Sequence, residues 1–460
     1  MRCAVGIDLG STTTKAVLLD EDGRIVGRGI TNSRSNYEVA CAVAREDALS
    51  AARFELLRQA IEVAAGRDAH ASREQGTALQ DAFRLELYLA ELEDLRSEIG
   101  KLLDGPQLAA HRAALAPAAA EVLDEMAREA PSLFAPGAGR RSDFFRDLAA
   151  AAFMHAAERI AKSADVPFDR LAGLFDRAII NVETRLKSND FGATLRRAAT
   201  RVAAAQGDGH GDVARAALLE LADRVAKVPI EEVAFVGTGY GRQTLPFPKE
   251  AIRSEILCHG RGAHRAFPGT RSVLDIGGQD TKAIQVDERG VVTGFQMNDR
   301  CAAGCGRYLG YIADELNLGL HELGPLALQA RKAVKVNSTC TVFAGAELRE
   351  RLALGQRRED ILAGLHRSIM LRAMSLLARS GGIANEFTFT GGVCKNAMAT
   401  RVLGELVGEH YGSGITINCD PDSIYMGALG AALFALDDAR AGRPALLPAF
   451  AAPAAALAVT

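Results

Sequence analysis

One short segment occurs twice in this chain, and the repeat constrains the fold more than any other feature. Asp8-Leu-Gly-Ser-Thr-Thr-Thr-Lys15-Ala-Val-Leu-Leu-Asp20-Glu-Asp-Gly23 returns as Asp275-Ile-Gly-Gly-Gln-Asp-Thr-Lys282-Ala-Ile-Gln-Val-Asp287-Glu-Arg-Gly290, with Asp, Gly, Thr, Lys, Ala, Asp, Glu and Gly in register. Each copy leaves an apolar run (Ala4 to Ile7; Ser272 to Leu274) and continues into a β-rich run (Ala16 to Leu19; Ala283 to Val286). An Asp-Glu-x-Gly turn follows, then a third extended stretch (Ile25 and Val26; Val291 to Thr293). Strand, glycine turn, strand, turn, strand is a hairpin unit extended by one strand. Two copies this far apart predict an α/β chain with two related lobes, each offering one glycine loop.

Between the copies the pattern changes. From Ser35 to Gly211 the chain is rich in Ala and Arg, and Leu85, Leu89, Leu92, Leu95, Ile99 and Leu102 step by three or four, a helical stripe. Pro106, Pro117, Pro131 and Pro136 punctuate this region, and Gly207 to Gly211 reads as a linker. The first lobe resumes with a strand from Glu232 to Val236. The expected organisation is a first lobe of residues 1–34 plus 212–271, a helical insertion at 35–211, a second lobe at 272–436 and a flexible Ala- and Pro-rich tail at 437–460.

Composition excludes some partners. With 54 Lys plus Arg against 57 Asp plus Glu and no basic run, the chain carries no nucleic-acid footprint. Asp8 comes too early for a signal-peptide apolar region, and Pro444, Pro448 and Pro453 interrupt the apolar tail, so neither secretion nor a membrane span is expected. A cytoplasmic protein with an ordinary core fits the 48% hydrophobic content. The eight cysteines lack the density of a disulfide scaffold.

The glycine loops carry the first chemistry. Gly10, Ser11, Thr12, Thr13 and Lys15 in one copy, and Gly277, Gly278, Gln279 and Asp280 in the other, are residue types that surround phosphate oxygens with N–H groups and hydroxyls. Asp8 and Asp275, at strand ends, are placed to face a Mg²⁺ that bridges phosphates, mostly through water. Gln279 or Asp280 would orient an attacking water. A third loop, with Glu386 to Thr390 as a strand, Gly391-Gly392-Val393 as a turn and Asn396 near a helix start, suits a nucleoside.

The cysteines carry the second. Cys301 and Cys340 stand where helices are predicted to begin, and the helix dipole with its free N–H groups favours thiolate there. Either alone equally suits a small buried hydrophobe. Two thiolates are half of what a four-thiolate iron–sulfur cluster needs, so if both are ligands a second subunit must supply the rest. Cys305, one helical turn after Cys301, is a possible third ligand. Cys3, Cys41, Cys258, Cys394 and Cys419 have no partner spacing and read as structural.

At this point the motifs form a resemblance. Asp8 to Lys15, Asp275 to Lys282 and Gly391-Gly392 resemble the phosphate and adenosine motifs of the actin, hexokinase and acetate-kinase superfamily of ATPases. Thr238-Gly-Tyr-Gly-Arg242, Asn298-Asp-Arg-Cys-Ala-Ala-Gly304 and Ser338-Thr-Cys340-Thr-Val-Phe343 resemble a narrower family: ATP-driven electron activators of 2-hydroxyacyl-CoA dehydratases and ATPase subunits of benzoyl-CoA reductases. The resemblance implies a two-lobe ATPase with a duplicated βββαβα-type core, ATP or ADP with Mg²⁺ between the loops, and a [4Fe-4S] cluster shared between two subunits, held here by Cys301 and Cys340. The long insertion resembles the larger ATPase subunit of class I benzoyl-CoA reductase. That implies a shorter ATPase subunit as partner, catalytic subunits that bind the aromatic acyl-CoA, and ferredoxin as electron donor. The alternatives are an activator of a 2-hydroxyacyl-CoA dehydratase and, outside electron transfer, a small-molecule kinase of the same superfamily.

Overall fold

The computed structural model describes residues 1–448 apart from 34–35, 66–68, 139–141, 143, 186–189, 206–210, 240–244, 299–304 and 337–340, and leaves the side chains of 64–72, 211–215 and 341–342 undescribed. The first copy of the repeat forms β1 (Arg2–Leu9), β2 (Thr13–Asp20) and β3 (Ile25–Asn32), an antiparallel meander. Residues Cys3 to Leu9 of β1 are all buried, as expected of a central strand covered on both faces. One cover is α1 (Tyr37–Ala65), whose Ala40, Cys41, Ala44, Ala48 and Ala52 pack on Val5, Ile7, Ala16 and Leu18. The chain therefore turns helical close to the expected position, but the first half of α1 belongs to the lobe.

The helical insertion proper starts in the second half of α1, where Leu57 and Ile61 join Phe83, Leu195, Ala198 and Leu221. It continues through α2 (Ala69–Asp104), α3 (Arg112–Leu133), α4 (Phe145–Ser163), α5 (Phe168–Glu183), α6 (Phe191–Ala205) and α7 (Gly211–Ala226). The leucine stripe does face inward, with Leu85, Leu92, Leu95 and Ile99 buried against α3, α4 and α5. Two of the prolines read as breaks do not break anything: Pro117 and Pro131 lie inside α3, where each only removes one N–H from the ladder. Most of the expected Gly207–Gly211 linker lies outside the described residues.

The chain then returns as β4 (Glu231–Gly239), parallel to β1, giving the order β3-β2-β1-β4, and enters α8 (Glu255–Ala266). The second copy repeats the meander as β5 (Ser272–Ile276), β6 (Thr281–Val286) and β7 (Val292–Asn298). After α9 (Gly306–Glu315), α10 (Leu320–Ala327), α11 (Thr341–Ala353) and α12 (Arg358–Arg379), strand β8 (Phe387–Thr390) pairs in parallel with β5. Helix α13 (Ala397–Tyr411) leads to β9 (Ile417–Asn418), completing the order β7-β6-β5-β8-β9, and α14 (Met426–Arg440) follows. Among the described residues α12 is the one helix long and apolar enough to cross a membrane, at a mean hydropathy of 1.3 over its most apolar window. Its Ile361, Leu362, Leu365, Ile369 and Leu377 are instead buried with Leu309, Phe387, Phe389 and Leu403 in the second-lobe core.

The two lobes exchange helices. α14 ends the second-lobe stretch of sequence, yet Ala428, Ala431, Ala432 and Ala435 pack on Ala4, Val17, Leu19 and Val236 of the first sheet. α8 follows the first sheet, yet Ile256 and Ala263 pack on Val273, Ile284 and Val286 of the second. The helices themselves meet backbone to backbone: a Cβ on Gly262 would collide with the Met426 carbonyl, and one on Gly430 with the Cys258 carbonyl. Only glycine allows that approach, and it brings side chains from α8 down between the two glycine loops.

Candidate active site

Strand register places the repeated residues in matching positions. Asp8 lies across from Lys15 on β2 and beside Thr238 on β4, while Asp275 lies across from Lys282 on β6 and beside Thr390 on β8. The Lys15 ammonium is 3.2 Å from Asp8 Oδ2 and that of Lys282 is 3.3 Å from Asp275 Oδ2. Each loop is closed by its own backbone, Gly10 N–H donating to the Thr13 carbonyl and Gly277 N–H to that of Asp280. The loops also touch: a Cβ on Gly278 would overlap the Thr12 hydroxyl and lie 3.1 Å from Ser11 Oγ.

Two residues that sequence reasoning missed, Glu255 and His259, come from one face of α8. His259 Nδ1 lies 3.2 Å from Asp275 Oδ1, and its Nε2 lies 4.0 Å from Asp8 Oδ2 and 3.9 Å from Glu255 Oε1. Lys282 reaches Asp280 Oδ1 at 2.9 Å and Glu255 Oε1 at 3.0 Å as well as Asp275. Burial favours neutral His259, but Asp275 and Asp8 outweigh it and raise its pKa, so the imidazolium is favoured. Burial likewise pushes Asp275 up, and His259 and Lys282 overcome it and hold the carboxyl far below the ordinary range. Glu255 is raised, chiefly by burial, against the pull of Lys282. The signal in the sequence was a Glu and a His one helical turn apart on a helix whose other inward residues (Ile256, Cys258, Ala263) are apolar.

The two halves differ at one atom. Thr390 donates its hydroxyl to Asp275 Oδ1 at 2.8 Å, but Thr238 turns away to the Arg253 carbonyl at 2.8 Å. Asp8 Oδ1 is left buried without a hydrogen-bond partner. An unsatisfied carboxylate oxygen in a dry site fits a hard divalent cation such as Mg²⁺, directly or through water. Asp8, Glu255 and His259 each bring a ligand atom within 4.8 Å of the others.

Residues 5–435 match the BadF/BadG/BcrA/BcrD ATPase family. The chain belongs to that family. It is 43% identical over 206 residues to the (R)-2-hydroxyglutaryl-CoA dehydratase activating ATPase of Acidaminococcus fermentans, covering 45% of this chain and 76% of that protein. It is 38% identical over 216 residues to the 2-hydroxyisocaproyl-CoA dehydratase activator of Clostridioides difficile, covering 47% and 77%. A benzoyl-CoA reductase subunit of Thauera aromatica is more distant, at 34% over 209 residues, covering 45% and 73%. An ATPase of two lobes with duplicated sheets is thus both the family's expectation and the observed topology.

In this member of the BadF/BadG/BcrA/BcrD family the remaining expected residues fall as follows. Gln279 is half-buried in the turn after Gly278, and the Asp280 carboxylate is drawn to Lys282. Gly391, at φ 87°, lies against the Ile276 carbonyl, where a Cβ would strike backbone, and Gly392 opens the one-turn helix Gly392–Lys395. Both ends of the Asn396 amide are engaged: Oδ1 accepts from Ala399 N–H at 3.0 Å, capping α13, and Nδ2 donates to His366 Nε2 at 3.0 Å. Cys301 and Cys340 lie outside the described residues. Cys305 is described, and it is the buried N-cap of α9. The first turn of α9 is bonded to the second glycine loop, Gly306 N–H donating to the Gly277 carbonyl at 2.8 Å and Arg307 N–H to that of Gly278 at 2.7 Å. α9 in turn holds α11 through a Glu315–Arg349 ion pair and Tyr311 packed on Gly345. Cys394 and Cys419, which have no partner spacing in the sequence, are brought together by the fold, each thiol bonding to the other's segment at 3.8 Å.

Proposed function

We propose that this chain is an ATP-hydrolysing electron activator of the kind that serves 2-hydroxyacyl-CoA dehydratases. The relatives at 43% and 38% identity favour that reading over the benzoyl-CoA reductase subunit expected from the insertion. The observation that carries it is the pair of hydrogen bonds donated by the first turn of α9 to the Gly277 and Gly278 carbonyls, because they tie a phosphate loop to the helix that follows Cys301.

The chain's own residues then act as follows. Lys15 and Lys282 place positive charge beside the two loops, and the unsatisfied oxygen of Asp8 would hold Mg²⁺. Gln279 orients the attacking water, while Gly391 and Gly392 let the backbone pack against the nucleoside. Phosphates entering between Ser11–Thr12 and Gly278 separate loops that now touch, and α9, bonded to one of them, moves with it, taking α11 along. Cys301 and Cys340, together with the same pair of a second copy, would hold a [4Fe-4S] cluster, which when bound would supply one-electron chemistry with a potential responsive to the charge and solvent around it. Ferredoxin is the electron donor and a dehydratase that holds the acyl-CoA is the acceptor.

The test is iron and acid-labile sulfide in the chain produced alone without oxygen. About four irons per two copies, lost in Cys301→Ser, with ATP-dependent activation of a 2-hydroxyacyl-CoA dehydratase, is the expected result. Iron that binds only when a second, shorter ATPase subunit is co-produced would return the benzoyl-CoA reductase reading. ATP turnover with no iron under either condition would overturn electron transfer and leave the kinase.

A further inference from the structure

We propose that Cys394 and Cys419 are a peroxide-oxidisable dithiol, a modification site that locks the nucleoside side of the cleft with a reversible disulfide. The idea goes beyond the electron-activator reading and uses neither Cys301 nor Cys340. Cys394 sits in the one-turn helix that opens at Gly392, and Cys419 lies between β9 and the one-turn helix Pro421–Tyr425. α13 separates them in sequence, but the fold returns the chain so that each thiol bonds to the other's segment. Cys419 S–H donates to the Cys394 carbonyl at 3.8 Å, and Cys394 S–H to the Asp420 carbonyl at 3.8 Å.

The two sulfurs are unequal. Cys394 is buried, and its hydrogen bond to Cys419, together with burial, drives its thiol well above the usual range. Cys419 is partly exposed, and the neighbouring Cys394 thiol, with help from the Thr400 hydroxyl, lowers its pKa against the effect of burial. A thiolate that solvent can reach beside a buried thiol is the arrangement of an attacking and a resolving cysteine. Cys3 and Cys258, buried alone, are pushed up to about 12, chiefly by burial, and are inert by the same criterion.

The oxidant is a hydroperoxide. The Cys419 thiolate attacks one peroxide oxygen, the O–O bond breaks, and the other oxygen leaves as water or an alcohol, leaving a sulfenic acid on Cys419. Cys394 sulfur then attacks Cys419 sulfur, the S–O bond breaks, and a second water departs with the Cys394 proton. Two thiols lose two electrons and the peroxide gains them. The new bond staples the Gly392–Lys395 turn to the segment that already touches it, where Gly391 N–H donates to the Ser423 carbonyl at 3.4 Å. Freezing that turn restricts the fit of a nucleoside.

The experiment treats the full-length chain, prepared without oxygen, with a slight excess of hydrogen peroxide, alkylates the remaining thiols and maps them by mass spectrometry. Expected is one cross-linked peptide pair containing Cys394 and Cys419, reversed by dithiothreitol, forming faster as pH rises, and accompanied by a several-fold loss of ADP affinity. Cys301→Ser should form it equally well, which separates this result from any failure of the cluster reading. Cys394→Ser and Cys419→Ser should keep ADP affinity unchanged by peroxide. Absence of the cross-linked pair, Cys419 running on to sulfinic acid while Cys394 is still alkylated, or a cross-link that leaves ADP affinity unchanged would each overturn the proposal.

Discussion

Asp8 and Asp275 occupy equivalent places in the two sheets, each opposite a lysine and beside a threonine, yet their surroundings have diverged. Asp275 accepts from Thr390, faces His259 and Lys282, and belongs to a buried network that also holds Glu255 and Asp280. Asp8 has Lys15 and a more distant His259, and one of its oxygens bonds to nothing. Duplication supplied two copies of one scaffold, and the rotation of a single threonine separates their roles. The Asp275 carboxylate is tied on both oxygens, to Thr390 and Lys282, whereas Asp8 keeps one oxygen for a group that arrives later.

The comparison breaks most sharply on the aspartates themselves. Asp275→Asn leaves Lys282 and His259 buried with less counter-charge, so a loss of about 3–5 kcal/mol in denaturant unfolding is expected. Asp8→Asn should leave a far smaller unfolding deficit and instead cut Mg²⁺-dependent ATP hydrolysis about 10²-fold or more, the size seen when one preorganised charge-stabilising group is removed. Equal unfolding losses in the two variants would erase the distinction between a structural and a functional copy.

Much of this was legible because the duplication is written in letters. Asp8 to Lys15 and Asp275 to Lys282 share residue types, and the glycine turn between their strands sets the pairing of each aspartate with its lysine. The inward face of α2, Leu85, Leu92, Leu95 and Ile99 among it, was likewise visible from its spacing. The helix exchange was not. α14 is so rich in Ala and Gly that no face stands out, and nothing local says which sheet will cover it. His259 was missed because a lone histidine on an apolar helix resembles a core residue until the facing carboxylates are known. Cys394 and Cys419 were missed because their contact is created by the return of the chain after α13, not by spacing.

Smaller effects sharpen the same contrast at the threonines. Thr390→Val removes a hydrogen bond to a buried carboxylate and should cost about 1.5–3 kcal/mol of stability. Thr238→Val removes a hydroxyl that bonds neutral partners, the Arg253 carbonyl and Cys258, worth about 0.5–1.5 kcal/mol for such a bond. Thermal or denaturant unfolding of the pair checks this, and a Thr238→Val variant that costs as much as Thr390→Val would show that the two hydroxyls are not doing different jobs.

If the second copy is the structural half, the loop beside it should report on stability through pH. His366 is buried, its Nδ1–H donating to the Leu362 carbonyl at 2.7 Å and its Nε2 accepting from Asn396, which caps α13. The bond from Asn396 needs the neutral ring, whereas Nδ1–H can donate in either form, and burial outweighs the Leu362 and Asn396 bonds to lower the pKa from the ordinary 6.5. The unfolded chain therefore takes up a proton that the folded chain refuses. The contribution is complete above the unfolded-state value and drains away as pH falls from there through the folded one. His366→Gln keeps an acceptor for Asn396 without a titrating ring, so its unfolding free energy should lack that part of the acid slope. A wild-type slope that persists unchanged in His366→Gln would place the proton uptake elsewhere and remove the histidine from the support of this loop.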